Sequence, residues 1–555
     1  MVDRRPVALA AIALCGIVLA PHFATAGFAQ ATPGSTPALA PAVGPAEQAL
    51  QARVEQLRTD PGTPVLGRRL AHPEAVATVL ERRYFRAMWP LPEGGRRAIA
   101  ALRRATEEGL RPDDYHAAAI DKALAGRAGG SPTLDADIQL LIADGLVSFA
   151  DTVRYGRVEP NTLNPTWNVD PRAGAPPLDV RLEEIVASPD PGQAIDRAIP
   201  DHFIYKGLKG MLADLRAREA AGGWPTVPAG PSLEPGAQGP AVVAMRKRLA
   251  ASGLLDAAAG LDSPVYDETL KAAVIAFQEH HRLKADGVAG RTTVEAMNVP
   301  VGTRIDQVRA NLERARWVVN GLSDSFILVN LPAFKVYVIK DRRNVWETRA
   351  QVGKAARKTP SFRANMQYLV FNPDWTVPPT ILKEDVLGAM KKGQNAIARK
   401  GLKIYDRQGN EVPPASIDWS TASARSFPYT LRQPPGPANA LGRVKFIFPN
   451  PHSIFLHDTP SRELFASDTR TFSSGCIRVE KPLDLAGVLL EGQSEWTRPR
   501  IDEVVATKET QTVYLKQPLP VLIVYWTVSV GASGDIRTAR DVYNLDPPLI
   551  RALDR

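Results

Sequence analysis

The feature that most constrains this fold is a change of apolar periodicity near residue 300. Upstream, apolar residues recur at helical intervals, as over Arg96 to Leu110 and Asp135 to Val153. Gly109-Leu110-Arg111-Pro112 then reads as a helix stop with a fresh start after it. Downstream the pattern is strand-rich, with short runs such as Ser453 to Leu456 that read as buried strand. Two periods in one chain imply a multidomain α+β protein. A length of 555 residues fits three to four domains at roughly 150 each. With 44% hydrophobic and 23% charged residues, wholesale disorder and a multi-span membrane protein are both excluded. A net charge of +9 over this length is too weak a signature for nucleic acid.

The first residues read as an export signal over 1–26. Arg4 and Arg5 precede an apolar run from Val7 to Ala20, and Ala24-Thr25-Ala26 offers small residues for cleavage. The run is short for a membrane span, so a retained anchor is the lesser alternative. Leu14 precedes Cys15 where a lipoprotein signal needs Gly or Ala. Residues 27–46, rich in Ala and Pro, read as a linker.

Cys15 and Cys476 are the only cysteines, and cleavage removes the first. A single thiol in an exported chain makes no internal disulfide. It is either a buried structural residue or a reactive one. The surroundings Ser473-Ser474-Gly475-Cys476-Ile477-Arg478-Val479 favour reactivity. Gly475 permits a sharp turn, whose backbone N–H groups can cradle an oxyanion. Arg478 favours thiolate over thiol. A thiol of pKa ~8.5 still wants a base. Of His22, His72, His116, His202, His280, His281, His452 and His457, only the last two lie in the region of Cys476. They are an odd number of positions apart, so an unbroken strand points them to opposite faces. His452 follows the turn signal Asn450-Pro451 and reads as a loop residue. His457 ends the apolar run before Asp458-Thr459-Pro460 and is the candidate base, displayed on a loop. His280 and His281 are adjacent, cannot share a helix face, and read as an exposed helix end rather than a zinc site.

The stretch HDTPSRELFASDTRTFSSGCIRV resembles the active-site segment of YkuD-type L,D-transpeptidase domains, with His457 nineteen residues before Cys476. The resemblance extends through 326–338 (FILVNLPAFKVYV), 352–360 (VGKAARKTP), 371–378 (FNPDWTVP), 434–450 (PPGPANALGRVKFIFPN) and 520–526 (PVLIVYW). In order and density these segments are similar to the long, YcbB-like branch of the family. Ser474 stands where many members carry His, so a role for that second His does not transfer. Asp458 stands where many shorter members carry Gly, which leaves the orientation of His457 open. Residues 236–299 resemble the small three-helix peptidoglycan-binding domain, with Val242, Met245, Leu249, Leu270, Val274 and Phe277 at helix-core spacing.

The resemblance implies a helical scaffold domain over 47–225, a peptidoglycan-binding domain over 231–300 and a mostly-β catalytic domain over 301–555. Residues 219–235 read as a linker. A turn-rich insertion over 379–430 would be a capping lid, with Ile381 to Met390 helical. Its Lys383, Lys391, Lys392, Arg399 and Lys400 would meet acidic stem peptides or form a solvated face. The implied reaction is acyl transfer on peptidoglycan in the periplasm. Cys476 would be the nucleophile and His457 the proton donor and acceptor. Backbone N–H groups of Gly475, Cys476 and Ser474 would form the oxyanion hole, and Arg478 would support the thiolate and its loop. The acyl donor is the third residue of a tetrapeptide stem, D-Ala leaves, and a side-chain amine of a second stem closes a 3→3 cross-link. Carbapenems would acylate the same Cys.

Tyr337, Trp375 and Asn439 are groove-lining candidates by resemblance, with core packing as the alternative. The same site could serve an L,D-carboxypeptidase, or protein anchoring to and release from the wall. A non-catalytic wall-binding scaffold is the rival of another class. A papain-type endopeptidase is disfavoured because its Cys precedes its His. Implied partners are peptidoglycan stem peptides and glycan, with cell-wall synthesis proteins as further candidates and no nucleic acid. No metal motif or phosphate loop is present, and no cofactor is expected.

Overall fold

A computed structural model describes residues 44–555 except 128, 257, 259, 532, 533 and 535. The signal segment and the linker as far as residue 43 lie outside the described residues. The helical part is built around Pro132–Tyr155, a helix buried on nearly every face along most of its length. Ser131 caps it by accepting from the Leu134 N–H. Helices Pro45–Thr59, Pro73–Arg82, Glu93–Arg103, Leu178–Ala187 and Pro191–Ala198 surround it. Its one fully buried carboxylate, Asp144, accepts from the N–H groups of Ala71 (3.0 Å) and His72 (2.7 Å) and bonds His116 Nε2 at 2.7 Å. These three contacts satisfy a polar group that burial would otherwise make costly.

Helices Pro240–Ala251, Glu268–His280 and Arg291–Met297 form the small module. Its six predicted core residues are buried, joined by Tyr266 and Val227. Residues 219–235 do not hang free. Trp224 Nε1 donates to Val299 O at 3.0 Å, and Val227 N to Asn298 Oδ1 at 2.8 Å. His281 departs from the exposed-end expectation, since its ring is held by Thr538 Oγ1 and stacks near Phe277. Arg282, at φ +54°, donates to Ser529 Oγ at 2.8 Å. The end of the second module helix is therefore a docking point, not a solvated terminus.

The C-terminal part contains β1 (Phe326–Asn330), β2 (Lys335–Lys340), β3 (Arg343–Gly353), β4 (Phe362–Phe371), β5 (Trp375–Thr376), β6 (Lys403–Tyr405) and β7 (Thr430–Gln433). After these come β8 (Val444–Ile447), β9 (Leu456–His457), β10 (Thr471–Ser473), β11 (Ile477–Val479) and β12 (Gln511–Val524). One nine-stranded sheet runs β10-β3-β11-β9-β8-β4-β12-β1-β2, and β2 pairs back to β3, closing it. Alternation sorts the side chains. Ile327, Val329, Val336, Val338, Val521 and Ile523 fill the interior. Phe326, Leu328, Leu522 and Val524 face the helical layer. Strands buried on both faces read as unbroken apolar runs, which explains PVLIVYW.

The insertion is a structured subdomain. Its small sheet β5-β7-β6 and the helical stretch Pro379–Lys391 enclose Trp375, Val386, Ile397, Leu402, Ile404 and Leu431. The expected strand Ser453 to Leu456 is shorter. Only Leu456–His457 pairs, because Ser453 sits at φ +53° and turns the chain.

Candidate active site

Two short parallel strands build the site. In β9 and β11, Ile477 pairs with Leu456 and Arg478 with His457. Paired residues of parallel strands project to the same face. Leu456, Ile477 and Val479 therefore enter the interior. His457 and Arg478 project outward, and Phe455 and Cys476, which immediately precede the paired residues, rest against the edge of the interior core. The sheet thus brings together three residues singled out in sequence. His452 is not among them, since it lies in a turn against the Phe362 ring.

His457 is not displayed on a loop. It is 4% exposed, and its ring lies 5.7 Å from that of Phe455. Nδ1–H donates to the carbonyl of Asp458 at 2.5 Å. A carbonyl can only accept, so the tautomer is fixed and Nε2 keeps its lone pair. Burial, with a smaller push from Arg478, lowers the ring to a pKa of about 3. Asp458 is itself anchored. Its carboxylate receives Arg443 Nε at 2.8 Å, the Arg443 N–H at 3.0 Å and Arg462 Nη2 at 3.1 Å. Gly442, at φ +61°, leaves the room, since a Cβ there would meet Asp458 Cβ and Cγ at 2.5 Å. Asp458 thus settles the orientation that the sequence left open.

Cys476 is partly accessible yet largely surrounded by protein. Its Sγ is 3.7 Å from Ser453 O. Burial pushes the thiol up to about 11, outweighing the opposing pull of the Phe455 backbone and of Arg478. Arg478 acts in the expected direction and loses to desolvation. Both directions favour a neutral imidazole and a protonated thiol at rest. Arg478 Nη1 donates to Gln351 Oε1 at 3.1 Å, and Gln351 Nε2 donates to Ser461 O at 3.1 Å.

The turn before Cys476 differs from expectation in one donor. The Gly475 N–H is occupied by Ser473 Oγ at 3.1 Å, and that hydroxyl donates to Cys476 O at 2.5 Å. The N–H groups of Ser474 and Cys476 have no hydrogen-bond partner among the described residues. They are the donors this conformation offers to an oxyanion. Gly475 is needed for its φ of +124°.

A brace that sequence reasoning missed lies at the end of β3. Thr359 Oγ1 accepts from the Gly353 N–H (2.8 Å) and donates to Gly475 O (2.7 Å). Tyr543 Oη donates to Gly353 O at 2.5 Å. Arg357 reaches three ways, to Ser474 Oγ at 2.8 Å, to both oxygens of Asp385 at 2.9 and 3.0 Å, and to Glu384. It joins the insertion to the turn before Cys476. The segment VGKAARKTP contained these residues, but nothing local distinguishes a brace from a polar loop.

The three groove candidates are structural. Tyr337 packs towards the helical layer and receives Arg282 Nη2 at 3.3 Å. Trp375 lies in the lid core. Asn439 Nδ2 donates to the carbonyls of Pro373, Gln433 and Pro434, and its Oδ1 accepts from Leu441 N, so no polar atom is left for substrate. In the lid, Lys383, Lys391, Lys392 and Arg399 face solvent.

Residues 324–505 match the family model for an L,D-transpeptidase catalytic domain, residues 74–212 a scaffold domain, and residues 238–297 a "putative peptidoglycan binding domain". A "putative L,D-transpeptidase" of Haemophilus influenzae is 40% identical over 220 residues. That match spans 40% of this chain and 44% of the relative, less than half of each. Among solved structures, an L,D-transpeptidase of Xylanimonas cellulosilytica is 16% identical, covering 54% of this chain and 99% of its own, with a TM-score of 0.18. One from Stackebrandtia nassauensis is 13% identical, covering 54% and 96%, with a TM-score of 0.20. Such scores are too low to equate the folds. The chain carries a YkuD-type L,D-transpeptidase catalytic domain, an enzyme domain, behind a scaffold domain and a peptidoglycan-binding domain.

Proposed function

We propose that the protein is a peptidoglycan L,D-transpeptidase with Cys476 as nucleophile and His457 as its proton carrier. The observation that carries this is the β9–β11 pairing, which places the strand that follows the thiol beside the one that ends in a tautomer-locked imidazole. Because both groups rest neutral, the Sγ proton passes to His457 Nε2 as sulfur attacks the carbonyl carbon of the third stem residue. The carbonyl oxygen becomes an oxyanion facing the Cys476 and Ser474 N–H groups. A donor of this kind is worth about 2.7–4 kcal/mol. The C–N bond then breaks, the amine of D-Ala leaves with the proton from His457, and a thioester remains. The side-chain amine of a second stem attacks the thioester and gives up a proton to His457. A 3→3 amide forms, and the proton returns to sulfur. Arg478 stabilises developing thiolate charge.

In this reading residues 47–225 are the scaffold, 231–300 the wall-binding module and 301–555 the catalytic domain with its lid at 379–430. A wall substrate places the enzyme outside the cytoplasm, and the signal over 1–26 would deliver it to the periplasm.

Intact-mass spectrometry of the mature chain with tetrapeptide muropeptides tests this, beside Cys476→Ala. An acyl adduct on the wild type and none on the variant is expected, as is a meropenem adduct. Dimeric 3→3 products separate transpeptidation from trimming by water. A folded wild type that forms no adduct would leave only the wall-binding scaffold.

A further inference from the structure

A cavity of about 630 Å³ opens where the wall-binding module, the helix Val301–Arg316 and the C-terminal segment meet. That is the size of a ligand site, and it shares no residue with the site of Cys476. Its lining is unevenly charged. Arg304 is 9% exposed, and its only partners among the described residues are the Gln307 side chain and the Ala296 carbonyl, at 2.8 and 3.3 Å. No carboxylate neutralises it, and burial lowers its pKa to about 10. Arg551 lines the same cavity with no hydrogen bond or ion pair among the described residues. Among the described residues Arg540 pairs only with Glu295, at 3.8 Å, and Glu295 already holds Arg291 at 3.0 Å.

The other carboxylates of the cavity are engaged elsewhere. Asp306 pairs with Arg309 at 3.0 Å. Asp541 takes the Tyr525 hydroxyl and the N–H groups of Leu545 and Asp546. Asp546 pairs with Arg314 at 2.5 Å and accepts from Thr527 at 2.8 Å. What remains among the described residues is Arg304, buried, and Arg551, exposed, each without a carboxylate partner, beside Arg540 with its one distant and shared partner. A buried cation of that kind is costly until an anion meets it, and guanidinium forks match carboxylates.

We propose that this cavity is a second wall site, taking the free carboxylates of an acidic stem peptide while another stem occupies the site of Cys476. The proposal rests on peptidoglycan being the substrate. It would let the module and the catalytic domain hold one peptide between them, so that strands of the wall are presented in a fixed relation to the nucleophile.

Calorimetric titration of the full mature chain carrying Cys476→Ala with a synthetic tetrapeptide stem tests it. Arg540 and Arg551 are exposed, so Arg540→Gln with Arg551→Gln should leave the melting temperature unchanged. The double variant should lose one binding event, weakened about tenfold or more. An isotherm unchanged by the double variant would overturn the proposal. Displacement by equimolar succinate would overturn the peptide assignment and leave a general carboxylate site. No such binding event in a chain whose wild type is acylated at Cys476 would sink the second site while leaving the proposed function standing. No acylation at all would instead refute the function.

Discussion

At the scale of the residue, the site depends on two groups held neutral by burial, and pH should expose this. His457 is lowered to about 3, well below an ordinary histidine. Between that value and about 6.5 the unfolded chain binds a proton that the folded chain does not. Folding stability therefore rises with pH across this window and is lost as pH falls through it. The slope due to one such group is about 1.4 kcal/mol per pH unit. His457→Gln should flatten the acid side of the stability profile by that amount, measured by denaturant unfolding at pH 4.5 and 6.5. The burial of His281 also lowers its pKa, but this contribution is common to both proteins and cancels in the comparison. The kcat/KM profile should likewise show no acid limb near 6.5. A limb there would mean that the imidazole titrates freely. Asp458 is a positioning residue for the same ring. Asp458→Asn keeps the carbonyl acceptor but weakens its anchorage to Arg443 and Arg462. We expect kcat to fall about tenfold or more with little change in KM, whereas a purely structural role would lower the melting temperature alone.

At the scale of the element, the insertion proposed as a lid and the turn before Cys476 are joined by one side chain. Arg357 is 10% exposed and bonds Glu384, Asp385 and Ser474 together. A fork this enclosed is worth more than an exposed ion pair. Arg357→Ala should raise amide exchange over Pro379–Lys391 about tenfold, while β4 and β12 stay protected. Arg357→Lys should fall between, keeping the charge and losing the fork. What the sequence reveals and what it hides follow from the same distinction between local and long-range order. Cys476 stands out in sequence because a lone thiol after Gly475 is a local pattern, and His457 through its place at the end of an apolar run and its spacing in the resembling segment. The helix stop at Gly109 was legible through its left-handed turn. Tyr337 was a groove candidate by resemblance only, and the core-packing alternative is what its half-buried place on β2 against the helical layer fits. Thr359, Arg357 and Asp458 were missed because their partners lie far along the chain or act through a backbone carbonyl. The Gly475 N–H was misassigned because its occupant, Ser473 Oγ, depends on the local path of the turn and not on residue type.

At the scale of the whole molecule, the helix Val301–Arg316 joins the scaffold to the catalytic sheet. On one side Arg316 donates to the Tyr205 hydroxyl and to Glu108 O, and Glu313 accepts from the Val158 N–H at 2.7 Å. On another, Gln307 and Asn311 hold the Thr527 backbone and hydroxyl, and Arg314 holds Asp546. Gly156 is fixed by this contact, since a Cβ there would meet Glu313 Oε1 and Trp317 Nε1 at 2.8 Å. Glu313 and Arg316 form an ion pair at 2.9 Å, with side chains 0% and 1% exposed. Removing one partner of such a pair leaves an uncompensated buried charge, at a cost of about 3–5 kcal/mol. Glu313→Ala should therefore lower stability by that order, although the residue touches nothing in the site of Cys476. If the helix couples the two parts, loss of helical circular dichroism and loss of Cys476 acylation should follow one transition at a reduced temperature. Glu313→Gln, which keeps a hydrogen-bond acceptor for Val158, should lose less. Two separated transitions in Glu313→Ala, with acylation surviving the first, would show that the catalytic sheet stands without the scaffold and that the helix only tethers it.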